Sequence, residues 1–404
     1  MNAAIETTDE AAADPPIVSG KCRVGILTFH NVQNFGGLWQ AFGLSNHLRR
    51  RGHQVELINY APAHVERGSR LRLPTSRQNL IANATTIYQK TLQLRRRMFA
   101  DREQQKKFVD FQQRYLPNSG QPLTDADQLD NAGLDYDCLV CGSDQIWNPS
   151  AQHGIDPVYF GQTKVNCRSK GSYAASFGSG GLAPAFHSRV LSALRTFEYL
   201  SVREDSGRRT LADIPLSAHV DVDPTLLNDD YGELFNIETS HDGDELVLYS
   251  LRGNRQIDRS SEVVAQRMGK QLTTLHASRD RPRSGRGHVF PGPIQWLQRI
   301  ATAGAMVTNS YHGTIFSILF EKPFVTCSIG GRKRSLDDRS RSLLDRLGLS
   351  ARLVQPDATS EIHQTLQSPI QWDEVRQRRR ELADESKRRF HSWLDQYGNS
   401  GPLS

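Results

Sequence analysis

The stretch that decides the fold is AMVTNSYHGTIFSILFEKPF, residues 305–324. Its apolar segments predict a strand over 305–308, a buried amphipathic helix over 313–320 that Pro323 ends, and the start of another strand over 324–327. Ser310, Tyr311 and His312 are therefore predicted to lie in the tight turn between a strand and a helix. Open α/β sheets bind their ligands at this end of their strands.

The chemistry of this turn favours an anionic ligand. The free N–H groups and the positive dipole of a helix N-terminus attract negative charge. Gly313 lets the backbone come close to a bound group, and His312 can exchange a proton near neutral pH. The alternative is a helix that Ser310 caps, with a histidine that is only packed.

Composition narrows the class of protein. The chain has 404 residues, of which 37% are hydrophobic and 23% are charged, which predicts two to three globular domains. A net charge of +6 fits anionic substrates or an anionic membrane face, and we expect no nucleic-acid partner. No apolar run is long enough for a transmembrane helix. Residues 1–20 lack the pattern of a signal peptide and are expected to form a disordered tail, so we expect a cytoplasmic location.

Cysteine usage gives no sign of a metal centre. Cys138 and Cys141 have the spacing of half a zinc or redox site, but no second Cys/His pair follows. Because residues 137–141 form an apolar run, buried free thiols are expected. We predict neither a metal nor a cofactor.

The first residues of the chain predict a βαβ unit, with strands over 21–29 and 54–60 and a helix over 36–51. The loop NVQNFGG does not have the glycine spacing of the dinucleotide fingerprint. Asn34, Gly36, Gly37 and Gln40 lie at the start of the helix and would suit recognition of acceptor hydroxyls or a phosphate. The alternative is a tight turn that merely requires glycine.

Residues 62–118 predict a basic helical insertion. Such a segment could rest on anionic lipid or on a lipid-diphosphate acceptor at the inner membrane face. A solvated helix face is the alternative, and the pattern favours it.

The predicted strand over 137–141 runs directly into polar and aromatic residues. Asp144 is a candidate base and Trp147 a candidate platform for a sugar ring. Three more residues of this segment are predicted to contact the acceptor, namely Gly142, Ser143 and Gln145.

Further predicted elements complete the first domain. They are a strand over 172–177, a helix over 182–194 and a strand over 199–202. Arg203 follows the last of these strands, and its guanidinium could bind a phosphate or a carboxylate bidentately. A pair with Glu204 or Asp205 is the alternative for Arg203.

A polar linker over 228–244 separates two βαβ series, and a long helix over 372–393 could return to the first domain. The predicted domains are 21–228 and 229–395, with a tail over 396–404. The predicted fold class is α/β, with two Rossmann-like domains in a GT-B-like arrangement and a cleft between them.

Five segments, in order along the chain, resemble the polysaccharide pyruvyl transferases: VGILTFHNVQNFGGLWQAFGL near the start, CGSDQIWNP at 141–149, VREDSG at 202–207, DPTLL at 223–227 and TNSYHGTIFSILFEKPFV at 308–325. The resemblance implies a GT-B-like fold. It also implies transfer of an enolpyruvyl group from phosphoenolpyruvate to a sugar, or to a lipid-linked oligosaccharide, as a pyruvate ketal.

The resemblance further implies roles for individual residues. His312 matches the motif histidine that acts as general acid, and Arg203 falls where a family arginine binds the donor. Where several characterised members have an arginine, this chain has Ser310. Arg252, or an arginine within 332–341, could substitute in donor binding.

Two functions from other classes compete with this interpretation. One is a GT-B glycosyltransferase that uses a nucleotide sugar, and the other is a carbohydrate-binding scaffold without catalysis. Binding of a nucleotide diphosphate but not phosphoenolpyruvate would favour the first. Binding of sugar without turnover of a donor would favour the second.

Overall fold

The computed structural model describes residues 21–62, 83, 87, 90, 91, 94, 101–152, 154–178, 181–212, 217–240, 242–251, 254–278, 287–329 and 337–398. The predictions for the tail 1–20, for most of the basic insertion, for Arg252 and for the last residues of the chain lie outside this part.

The first half of the described chain is built on a parallel sheet in the order β2-β1-β3-β4. The short strands β5 and β6 continue it, because the N–H groups of Ser172 and Ala175 donate to the carbonyls of Tyr199 and Ser201. Cys138 and Cys141 lie buried in β3 as free thiols, as predicted. The strands are β1 (Arg23–Leu27), β2 (Gln54–Leu57), β3 (Asp135–Cys141), β4 (Asn166–Ser172), β5 (Ser201–Val202) and β6 (His219–Val220).

The second half is a six-stranded parallel sheet in the order β12-β11-β10-β7-β8-β9. This is the doubly wound order, with its switch point between the first and fourth strands, β7 and β10. In the first sheet the corresponding switch lies between β1 and β3. The strands are β7 (Glu245–Tyr249), β8 (Gln271–Leu275), β9 (His288–Val289), β10 (Ala305–Thr308), β11 (Phe324–Cys327) and β12 (Leu353–Val354).

Helices connect the strands and cover the sheets. They are α1 (Phe35–Arg50), α2 (Arg102–Tyr115), α3 (Ala126–Asp130), α4 (Pro184–Leu194), α5 (Asp205–Thr210), α6 (Tyr231–Leu234), α7 (Arg255–Arg267), α8 (Pro293–Ala301), α9 (Tyr311–Leu319), α10 (Asp338–Leu347), α11 (Thr359–Gln367) and α12 (Trp372–Leu394). The 3₁₀ helices are Pro157–Phe160, Pro224–Leu227 and Ser350–Arg352.

Two sequence predictions are wrong in detail. Helix α9 begins at Tyr311, two residues early, so Tyr311 and His312 lie in its first turn and only Ser310 precedes it. The strand predicted over 172–177 occupies Asn166–Ser172 instead. Strand β4 is mostly polar. Its position is fixed by backbone pairing to β3, and that pairing requires no apolar side chain. The predicted range 172–177 instead took in the apolar residues that follow the strand.

An aromatic core joins the two halves. Trp39 of α1 is fully buried, and its ring contacts Phe111, Tyr231, Phe235 and Phe316 at centroid distances of 4.9–5.8 Å. These partners come from α2, from the segment between the sheets and from α9. The predicted polar linker therefore contains a short helix, α6, whose Tyr231 is buried in this core, as well as solvated residues.

Helix α12 returns from the second half to the first. Trp393 Nε1 donates to Ser169 Oγ of β4 at 3.0 Å, and the Cys22 thiol donates to the Leu394 carbonyl at 3.2 Å. The chain is therefore α/β, with two Rossmann-like parallel sheets in a GT-B-like arrangement. No helix within the described ranges is both long enough and apolar enough to cross a bilayer.

We expect Trp39→Ala to lower the free energy of unfolding by about 3–5 kcal/mol, because it removes a fully buried ring from the core that both halves share. Chemical denaturation followed by far-UV circular dichroism measures the change. Leu234→Ala is the control, since its side chain is 40% exposed. Equal small effects of the two substitutions would show that the shared core does not hold the halves together.

Candidate active site

A buried carboxylate, Asp223, lies at the centre of the candidate site. Its Oδ2 is 2.7 Å from Arg203 Nη1 and 3.3 Å from His312 Nε2. Its Oδ1 accepts hydrogen bonds from the Thr225 N–H at 3.0 Å and from the Thr225 hydroxyl at 2.7 Å. Both oxygens are therefore engaged, and the carboxylate joins an arginine of the first half to a histidine of the second.

The charges around Asp223 keep it ionised. Burial by itself would raise the pKa of this carboxyl, but the neighbouring His312 and Arg203 outweigh burial and hold the pKa well below its usual range. A permanent negative charge therefore lies 3.3 Å from Nε2 of the imidazole, and Asp223 orients the ring.

Arg203 follows directly after β5 and is buried. Besides Asp223 it contacts Asp144, whose Oδ1 lies 3.4 Å from Nη2. Burial would lower the pKa of the guanidinium, and the two carboxylates raise it. The alternative drawn from the sequence, an ion pair with Glu204 or Asp205, is replaced by pairs with two carboxylates that are distant along the chain.

The side chain of His312 packs against the first half of the chain in the space left by the missing side chain of Gly36. A Cβ atom placed on Gly36 would lie only 2.1 Å from His312 Nδ1. Glycine is thus required here by the close approach of a side chain from the other half. Two helix N-termini, those of α1 and α9, meet at this point.

Tyr311 lies between two guanidinium groups. The Arg203 Cζ is 4.8 Å from the centroid of its ring, and the Arg339 Cζ is 5.5 Å from it. Arg339 lies in α10, within the arginine-containing stretch 332–341. Burial and the nearby Arg203 lower the pKa of Arg339, which is the expected result of bringing two cations together.

Glu204 is a second buried acid beside this group. Its Oε1 accepts from Ser176 Oγ at 2.9 Å, and its Oε2 has no hydrogen-bond partner among the residues that the structure describes. Burial raises the pKa of Glu204, although Arg203 and Arg339 oppose that shift.

Several predicted site residues belong to the packed interior instead. Trp147 is fully buried and stacks on Phe160 at 5.5 Å, so its face is not available to a sugar. Gln40 is also fully buried, and its amide donates to Thr28 Oγ1 at 2.9 Å. Ser143 donates to the Ala174 carbonyl at 2.7 Å. The sequence interpretation of these three as acceptor contacts was wrong. The loop that carries Ser143 and Trp147 folds back on the protein, and Gln40 lies on the buried face of α1.

Other predicted residues shape the two helix starts. Asn34 Oδ1 accepts from the N–H groups of Gly36 and Gly37 at 2.9 and 3.4 Å, so these amides are used in capping. Ser310 Oγ accepts from the Gly313 N–H at 3.2 Å in the same way.

The remaining predicted residues lie in or beside these turns. A Cβ on Gly313 would meet Thr308 Oγ1 at 2.5 Å, so the group that approaches this glycine closely is a protein side chain. Gly142 lies with a φ of 127° against the Tyr173 carbonyl. The half-buried Gln145 accepts from Asn148 Nδ2 at 2.7 Å.

The structure thus brings together His312, Tyr311, Arg203 and Asp144 of the predicted set, with Gly36 and Gly37 beside them. Sequence reasoning assigned no role to Asp223 and named Glu204 only as an alternative partner of Arg203. The sequence did contain a sign of a role for Asp223, because this residue begins the segment DPTLL shortly after a strand. In the part of the chain that the structure describes, no group of three or more His, Cys, Asp or Glu residues could hold a metal ion.

Comparison with known families identifies the class. The family Polysaccharide pyruvyl transferase matches residues 34–331. The chain belongs to this family and is a transferase. A comparison with curated proteins found no match.

Solved structures that resemble the chain overall are distant. A mutant O-GlcNAc transferase from Thermobaculum terrenum has a TM-score of 0.43 at 12% identity, covering 95% of this chain and 70% of that one. UDP-GlcNAc 2-epimerase from Neisseria meningitidis bound to UDP-GlcNAc has a TM-score of 0.43 at 10% identity, covering 92% and 99%. UDP-N-acetylglucosamine 2-epimerase from Rickettsia bellii has a TM-score of 0.44 at 8% identity, covering 93% and 98%. Similarity at this level does not favour one reaction over another.

We expect Asp223→Asn to destabilise the fold by about 3–5 kcal/mol near neutral pH, because it leaves a buried arginine without one of its two carboxylates. The folded-state pKa of Asp223 lies below its ordinary value of 3.8. The stabilisation is therefore fully present above that value and is lost as the pH falls through it toward the folded-state pKa.

Denaturation midpoints of wild type and variant, measured between pH 7 and pH 3, test this expectation. The gap between the two proteins should be widest near pH 7 and should narrow below about pH 4. The exposed Asp127→Asn serves as the control. A gap that is unchanged across this range would show that Asp223 carries no charge in the folded protein.

Proposed function

We propose that this protein transfers the enolpyruvyl group of phosphoenolpyruvate onto a sugar of an exopolysaccharide or cell-surface glycan precursor, forming a pyruvate ketal. The family supports pyruvylation of a polysaccharide as the general reaction. The proposal of this donor and of His312 as the acid rests on the contact of His312 with the buried Asp223 carboxylate, next to Arg203. The site thereby combines a group that can give a proton with cationic groups, and phosphoenolpyruvate requires both.

The proposed reaction balances as follows. His312 gives its proton to the methylene carbon of the donor, which becomes a methyl group, and C2 becomes electrophilic. One sugar hydroxyl adds to C2, the bond from C2 to the phosphate oxygen breaks, and a second hydroxyl closes the ketal ring. Of the two hydroxyl protons, one restores His312 and the other leaves on the phosphate. Well-placed acid–base groups contribute about 10²–10⁴-fold to such steps.

The other residues of the site support these steps. Asp223 holds the imidazole of His312 in position for the transfer. Asp144 is the proposed base for the attacking hydroxyl, and it lies 3.6 Å from the position of a Cβ on Gly37, at the start of α1. Arg203 is proposed to bind or position the anionic donor. The proposed reaction uses no cofactor.

The proposed setting of the reaction follows from its substrates. Phosphoenolpyruvate is a cytoplasmic metabolite, so we place the reaction in the cytoplasm. A lipid-linked acceptor would bring the enzyme to the inner membrane face, where its net charge of +6 favours contact with anionic lipid.

We expect His312→Gln to reduce turnover by about 10²–10⁴-fold, because it removes the proton donor. Binding of phosphoenolpyruvate, measured by calorimetry, should change little. Turnover is measured as phosphate release in the presence of simple glycosides, with mass spectrometry to identify the ketal. His288→Gln is the control, since its exposed side chain lies at the far edge of the second sheet.

Two results would contradict the proposal. One is a His312→Gln variant that keeps most of the wild-type turnover. The other is a wild-type protein that binds uridine diphosphate but not phosphoenolpyruvate, which would favour a nucleotide-sugar donor. Binding of glycosides with no turnover of any donor would favour a scaffold.

A further inference from the structure

We propose that Arg339, on helix α10, binds the phosphate group of the donor, while Arg203 contributes positive charge beside it and also positions Asp223 and Asp144. The identity of the donor rests on the function proposed above. The assignment of Arg339 requires only that the donor carries a phosphate.

The two arginines differ in how far carboxylates of the protein balance their charge. Arg203 contacts two carboxylates, at 2.7 and 3.4 Å, so its charge is already balanced within the protein. Among the described residues, Arg339 makes no hydrogen bond and no ion pair, and its guanidinium lies against the Tyr311 ring. Glu204 and Asp144 act on its charge without forming an ion pair with it. Of these two cations, Arg339 therefore has more of its charge available to a ligand.

The surroundings of Arg339 are electrostatically unfavourable for its positive charge when no anion is bound. It shares the Tyr311 ring with Arg203, and two cations close together repel each other. The two acids that act on Arg339, Glu204 and Asp144, form no ion pair with it, and Asp144 is already paired with Arg203. A phosphate beside Arg339 would relieve the repulsion and make a charge-assisted pair with a guanidinium.

The position of Arg339 is fixed in advance by packing. Helix α10 is held to the first half by a hydrogen bond from Ser342 Oγ to Asp205 Oδ2 at 3.2 Å. Residues three apart lie on the same face of a helix, so this bond also directs Arg339 toward the segment that carries Arg203 and Glu204. Leu343, Leu344 and Leu347 of α10 are buried, which anchors the helix.

A phosphate held by Arg339 would lie beside the proposed proton donor. The Tyr311 and His312 rings have centroids 5.3 Å apart at an angle of 79°. An anion near the Tyr311 ring is therefore next to His312 and to the N-terminus of α9, whose dipole favours it. Arg339 thus supplies the positive charge that the turn itself lacks at Ser310.

The test compares Arg339→Gln with Arg341→Gln, which removes the same charge from an exposed position on the same helix. Phosphoenolpyruvate, inorganic phosphate and uridine diphosphate are titrated separately by calorimetry at constant ionic strength. We expect Arg339→Gln to weaken binding of every phosphate-bearing probe that wild type binds by about 10-fold or more, as the loss of a charge-assisted contact implies. Arg341→Gln should stay within about twofold of wild type.

A second measurement needs no variant. Phenylglyoxal modifies accessible arginines, and mass spectrometry of peptides locates the modification. The bound probe should protect Arg339 and leave Arg341 reactive. This result would hold even if the Arg339→Gln variant failed to fold.

The outcomes separate this inference from the proposed function. Equal affinities of the Arg339→Gln and Arg341→Gln variants, or an unprotected Arg339, would overturn the inference. A wild-type protein that binds none of the three probes would overturn it as well. If wild type binds phosphate or uridine diphosphate through Arg339 but does not bind phosphoenolpyruvate, the inference stands and the proposed donor is wrong.

Discussion

The candidate site depends on a carboxylate that is removed from water. Asp223 is completely buried, and an isolated ionised carboxylate in such a place would be strongly unfavourable. Its charge is tolerated because Arg203, His312 and Thr225 surround it. The carboxylate in turn fixes the positions of the arginine and the histidine. Since those two residues come from different halves of the chain, the same interaction that builds the site also joins the halves.

The aromatic core around Trp39 makes that junction rigid. Phe35, one turn before Trp39, stacks on Trp296 of the second half with centroids 5.0 Å apart. Helix α1 therefore presents Gly36 to His312 from a fixed position, and the gap that Gly36 leaves is not free to close. Helix α1 thus has two roles. Its aromatic residues pack in the shared core, and its first turn helps to place the polar site.

Much of the fold could be predicted from local pattern. The bounds of β10 and β11 agree with the sequence predictions to the residue, because each is a short apolar element with a clear stop. Strand β4 could not be found in this way, since its residues are mostly polar and its position is set by pairing with β3. The roles of Trp147 and Gln40 were misjudged for a related reason. A polar or aromatic residue near the end of a strand or the start of a helix has the same local pattern whether its side chain faces solvent or packs inside the protein.

The sequence by itself determined which residue types follow each strand, and so it indicated His312, Arg203 and Asp144 as members of a site at the carboxyl ends of parallel strands. It also determined the family, through segments whose order along the chain is preserved. Only the tertiary structure decided which charges meet. Asp223 and Asp144 are 20 and 59 residues from the arginine that they share, and Arg339 lies farther still. Proximity across such distances arises from the packing of two sheets, which no local pattern encodes.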